Sequence, residues 1–116
     1  MTAFVLVAAG GALGATVRYL LVLRLSGRFP WSILVANLAG SFVLGLLLMS
    51  ASPGWLFFAG VGFCGALTTF STFALDTFVL ARAGRPGVSI VNVGASVGGS
   101  VLALIAGLAL SRALGL

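Results

Sequence analysis

The sequence predicts an all-α integral membrane domain with four transmembrane helices, the third of them broken at mid-span. Three observations predict it. Hydrophobic residues fill 61% of the 116 positions and charged residues only 6%, too few to coat a soluble domain of this size. The apolar residues fall into runs of about 20, the length that crosses a bilayer core as helix. The third run also carries a middle unlike plain hydrocarbon-soluble helix. Gly60–Asp76, GVGFCGALTTFSTFALD, packs three glycines, four Thr/Ser, three phenylalanines and the sole acidic residue into 17 positions.

Residues 1–116 are expected to form a single transmembrane domain, with spans at about 3–23, 32–49, 55–81 and 88–110. The net charge of +5 comes from six arginines. They stand singly or in pairs at the ends of apolar runs, a pattern for anchoring and orientation rather than for a nucleic-acid surface. One cysteine, Cys64, excludes an internal disulfide, and without histidine no metal-ligand cluster assembles from side chains. Residues 1–23 lack a basic leading segment and outrun a signal-peptide core, so they read as a retained first span.

The first span contains Gly10, Gly11, Gly14 and Ala15, small residues that admit a second helix at close range in lipid. Arg18 lies inside its end and has two readings. Its side chain snorkels to the headgroups, or it faces a water-filled vestibule that draws in anions. Pro30 and Trp31 then open the second span, Pro suiting a helix start and Trp the interface. Within it Asn37 and Ser41 share a face, beside the small pair Ala36 and Gly40. An amide at this depth needs a partner, whether a neighbouring helix or a ligand.

Pro53 and Trp55 mark the third entry. Glycines combined with β-branched Thr68, Thr69 and Thr72 weaken continuous helix, which places a break near Gly65–Thr68 and a new helix start near Thr69. The fourth span sets Asn92, Ser96 and Ser100 four residues apart as a polar stripe, with Gly94 and Gly98 beside it.

A helix broken within the bilayer offers backbone groups to ions. Amides at the new start suit an anion, and carbonyls freed from Gly65–Thr68 suit a cation. Phe70 and Phe73 lie three residues apart, interleaved with the hydroxyls of Ser71 and Thr72. Ring edges carry positive quadrupole and can face an anion, although packing or lipid contact is the common role of phenylalanine. Asp76 reads as a coupling site, a counter-ion to Arg18 or a buried acid bonded back to Thr72. No nucleophile–base pair or phosphate loop is present, which argues against an enzyme.

Three motifs make the chain resemble the CrcB/Fluc family of fluoride channels. GGALGATVRY (10–19) is similar to the first-helix signature GGxxGAxxRY. WSILVANLAGSFVLG (31–45) is similar to the second, VNxxGsFxxG, with Asn37 at its Asn. GFCGALTTFSTFALD (62–76) is similar to the third, GFCGGxTTFSTFSxE. The resemblance implies an antiparallel dimer of four-helix subunits in the inner (plasma) membrane, exporting toxic fluoride by passive permeation through two pores. It implies that Phe70 and Phe73 line each pore beside Ser71 and Thr72, and that Asn37 supplies an amide donor. Ser96 and Ser100 would extend a polar track, and Arg18 would sit by the vestibule. Carbonyls of Gly65 and Thr68 would hold a structural Na⁺ between subunits. Asp76 stands where the family commonly has Glu, and Asn92 where many members have Tyr.

Two rival readings accompany this one. A small multidrug-type transporter also has four short helices, but it works through a first-helix carboxylate that this span lacks. A non-transporting membrane scaffold would need the glycine faces and not the polar residues. Orientation adds a constraint. Arg24, Arg28, Arg82 and Arg85 fall on one side and Arg112 on the other, so both termini are expected outside. That bias points to a subunit paired with an opposite paralogue, or one that still inserts both ways.

Overall fold

A computed structural model describes every residue except Ser26, Arg28, Ser50, Ala51 and Leu116. Four helical segments are long and apolar enough to cross a membrane: Thr2–Arg24, Trp31–Leu48, Pro53–Arg82 and Pro86–Ala113. They match the expected spans to within three residues at each end, and the chain is a multi-pass membrane protein. Arg28, part of the expected charge bias, lies outside the described residues.

The first two spans are helices α1 (Thr2–Arg24) and α2 (Trp31–Leu48). The third consists of α3, residues 53–67, and α4, Ser71–Arg82. Helix α5, Pro86–Ala113, is the fourth. Proline occupies an early position of both α3 and α5, where its missing N–H costs no helical bond. Between α4 and α5 the turn is set by Gly84 at φ +78°, a left-handed conformation that glycine adopts without a Cβ clash. Arg85 N–H donates to Leu80 O at 3.0 Å and Gly84 N–H to Ala81 O at 3.3 Å, which satisfies two carbonyls at the α4 terminus.

Glycines pair the helices. A Cβ on Gly10 would fall on Phe58 O, and one on Gly14 on Phe63 O, so α1 lies backbone to backbone along α3. On the other side a Cβ on Gly45 would strike Leu104 O, and one on Gly107 would strike Phe42 O. From Gly10–Phe58 to Gly14–Phe63, and from Leu38–Gly99 to Gly45–Gly107, contacts advance in the same direction along both helices, so α1 runs parallel to α3 and α2 parallel to α5. Lipid supplies no hydrophobic drive between helices, so this close approach and its dispersion contacts hold the bundle. Gly94 and Gly98, by contrast, face open space.

Two features of the third span depart from the sequence reading. Leu56–Cys64 is wound as π-helix, a widening that the composition did not announce. The break itself falls at Thr68–Phe70, a little later than expected, because Gly65 is still helical at φ −62°, ψ −38° while Thr68 is extended at ψ 155°. The break also changes the packing partner: α3 lies on α1, whereas α4 lies on α5.

Candidate functional site

The break is held by a side chain 32 residues away. Thr69 N–H, the amide that would bond Gly65 O in a continuous helix, donates instead to Asn37 Oδ1 at 2.8 Å. Asn37 Nδ2 donates in turn to Thr69 O at 3.3 Å. The partner that Asn37 required is therefore the interrupted backbone itself. Room for it exists because Gly40, one turn further along α2, meets the Thr68 methyl directly. Thr68 closes α3 by giving both its N–H and its hydroxyl to Cys64 O, at 3.0 and 2.9 Å.

The start of α4 is capped from within. Thr69 Oγ1 accepts from Thr72 N–H at 3.3 Å and lies 3.4 Å from the hydroxyls of Thr72 and Ser71. Thr72 is thus engaged by Thr69. The dipole of α4 leaves its positive end at this hydroxyl cluster.

An open-sided groove of about 680 Å³ runs past the break. From α2 it is lined by Asn37 and Ser41, from the third span by Gly65, Thr68, Thr69 and Phe70, and from α5 by Ser96 and Ser100. Ser96 is only 4% exposed, and its hydroxyl, buried in the groove wall, has no hydrogen-bond partner. Phe70 stands 79% exposed at the groove edge, whereas Phe73 is 8% exposed. Their ring centroids are 5.8 Å apart with planes tilted by 53°. Asn37, the hydroxyls of Ser96 and Ser100, the Phe70 ring and the Gly65–Thr68 backbone therefore line one open-sided groove, whereas Ser71, Thr72 and Phe73 follow the break beside it and do not line it.

The remaining residues singled out in the sequence lie elsewhere. No α1 residue lines the groove, so Arg18, half-buried on that helix, is outside it. Asp76 lines a separate cavity of about 330 Å³ with Ser32, Pro30 and Leu25, at the end where α1 turns into α2. Asn92 is buried against α4, bonded to Thr77. The sequence marks Thr69 only as a weak point of the helix, not as the partner of Asn37, and Thr77 not at all. The one available signal was that Asn37 and Asn92 each need a partner; which residue meets that need depends on helix packing.

A helix interrupted inside the bilayer, with polar groups gathered at the interruption, defines a multi-pass membrane protein of the broken-helix type that serves ion sites. Comparison with known proteins narrows this. Residues 5–108 match the family described as CrcB-like protein, Camphor Resistance (CrcB). The chain is 44% identical to the fluoride-specific ion channel FluC of Rhizobium meliloti (strain 1021), across 98% of this chain and 99% of that one. It is 46% identical to fluoride-specific ion channel FluC 1 of Nocardia farcinica (strain IFM 10152), across 92% and 79%. Against the FluC channel of Agrobacterium fabrum (strain C58 / ATCC 33970) the identity is 43%, across 92% and 94%. The chain belongs to the CrcB-like family.

Proposed function

We propose that this protein is a fluoride-selective channel, conducting passively through pores completed by a second, oppositely oriented subunit. The single observation that carries the reading is the groove at the break, lined by the Asn37 amide, the Ser96 and Ser100 hydroxyls and the Phe70 ring on a side the chain leaves open. Fluoride is small and tightly hydrated, so a pore must replace its water with donors, yet hold it weakly enough to let it go. Asn37, the hydroxyls of Ser71, Thr72, Ser96 and Ser100, and the edges of Phe70 and Phe73 are donors of that kind. None carries a full charge. Arg18, away from the groove, would act at a distance by raising anion concentration in a vestibule.

The exposure of Phe70 supports a dimer. A ring projecting from one subunit at the groove edge can line a path only when another surface closes over it. The second subunit is either a copy of this chain or an oppositely oriented paralogue. The released carbonyls fit a structural Na⁺ shared between subunits. Thr69 N–H is diverted to Asn37, so Gly65 O loses its helical donor, and a Cβ at Gly65 would meet no neighbour within 4 Å. Carbonyl oxygens of Gly65 and Thr68 would hold the ion, which would tie two subunits at their breaks.

The test is ion release from liposomes read with fluoride and chloride electrodes. Fast fluoride release with little chloride release is expected, and severe loss of it in Phe70→Ile. Unchanged flux in that variant would remove Phe70 from the path. Absence of fluoride release by the unsubstituted protein would overturn the reading.

A further inference from the structure

Thr77, one helical turn beyond Phe73 on α4, is the centre of a clasp between α4 and α5. Its hydroxyl donates to Phe73 O at 2.8 Å and accepts from Asn92 Nδ2 at 3.0 Å. Its carbonyl accepts from Ser89 Oγ at 2.8 Å. A hydroxyl has a single proton. With Asn92 donating into its lone pair, that proton is directed to the Phe73 carbonyl. Asn92 is 1% exposed and takes no part in lining the groove.

We propose that Asn92, acting through the Thr77 hydroxyl, is a positioning residue for Phe73 and not a contact for the ion. The break cuts α4 loose from α3, so helix continuity no longer sets the rotation of α4 about its axis. That rotation matters at Phe73, because a ring presents a positive edge in one attitude and a negative face in another. A threonine bonded back to the carbonyl four residues earlier also bends its helix. Asn92 fixes the direction of that bond from α5, and Ser89 holds the same turn by its backbone. The clasp thereby ties the attitude of the Phe73 ring to α5, the helix that carries Ser96 and Ser100.

The effect on ion flow rests on the fluoride reading; the effect on ring attitude does not. Two measurements keep them apart. Phe73 is replaced by 4-fluorophenylalanine in the otherwise full chain, and its fluorine resonance is followed in Thr77→Val, which keeps shape but loses the hydroxyl, and in Thr77→Ser, which keeps the hydroxyl. The resonance is expected to shift in Thr77→Val and to return in Thr77→Ser, whatever ion the protein carries. In liposomes of the natural-phenylalanine protein, Thr77→Val should lower the fluoride rate per active vesicle by roughly tenfold, the rate equivalent of one lost hydrogen bond. The fraction of vesicles that release any fluoride should stay the same, and Thr77→Ser should restore the rate. Asn92→Ala is the second variant, expected to move resonance and rate the same way. An unmoved resonance in whichever of Thr77→Val and Asn92→Ala assembles overturns the proposal. Failure of both to assemble makes the clasp a folding element and overturns it as well. A moved resonance with no fluoride release in any form retains the positioning role and rejects the fluoride reading.

Discussion

The side-chain amide of Asn37 pairs edge to edge with the backbone of Thr69, accepting from its N–H at 2.8 Å and donating to its carbonyl at 3.3 Å. One side chain thus supplies both bonds that the backbone gives up by leaving the helix at this residue. This makes a broken helix affordable in lipid, where an unpaired peptide group costs several kcal/mol.

Asn37→Leu removes both bonds and leaves the Thr69 N–H and carbonyl unpaired. The expected loss is about 2 kcal/mol of stability, within the range for stranded partly buried groups. Thermal unfolding in detergent measures it. Fluoride release should fall as well, since the same amide lines the groove. A variant with native stability and native flux would show that the break does not depend on this pair.

Ser96→Ala separates function from folding. The Ser96 hydroxyl is buried without a partner, so its removal relieves an unsatisfied group. Stability should hold or rise, by about 1 kcal/mol at most. Fluoride release should nevertheless decrease, because a donor in the groove wall is lost. Equal flux in both proteins would leave Ser96 without a part in permeation.

Gly107→Val tests the α2–α5 contact. A Cβ at Gly107 would strike Phe42 O and approach Leu46 N at 3.0 Å, and backbone atoms do not rotate away as side chains do. The helices must separate, at a cost of about 3 kcal/mol. Circular dichroism should still report helix while the unfolding midpoint falls. The matching change at Gly94, which meets no neighbour within 4 Å, should cost far less.

Exchange of Na⁺ for a bulky organic cation addresses the released carbonyls of Gly65 and Thr68. Loss of the proposed Na⁺ should weaken subunit association and slow fluoride release, and returning Na⁺ should reverse both. Size-exclusion light scattering and flux read the two effects on one preparation. Association indifferent to Na⁺ would argue against a cation at the break.

Much of this architecture is legible in the sequence. Four apolar runs bounded by proline, tryptophan and arginine give spans that the helices match to within three residues at each end. The physical reason is that bilayer thickness imposes length and apolarity on every crossing independently of its neighbours. The weak point of the third span is visible too, since glycines and β-branched threonines lower helix propensity whatever they pack against. So is the need of Asn37 and Asn92 for partners, because a buried amide cannot stay unpaired.

Tertiary structure alone decided the rest. It moved the break to Thr68–Phe70, where Asn37 competes for the Thr69 N–H that would otherwise prolong the helix by one bond. It wound Leu56–Cys64 as π-helix against α1. It gave Asn37 and Asn92 opposite fates, one at the groove and the other buried against Thr77, although both are asparagines within apolar spans. Local propensity acts over a few residues of one helix. The choice between these outcomes depends on which two helices approach closely enough to share a hydrogen bond, and that is a property of the packed bundle.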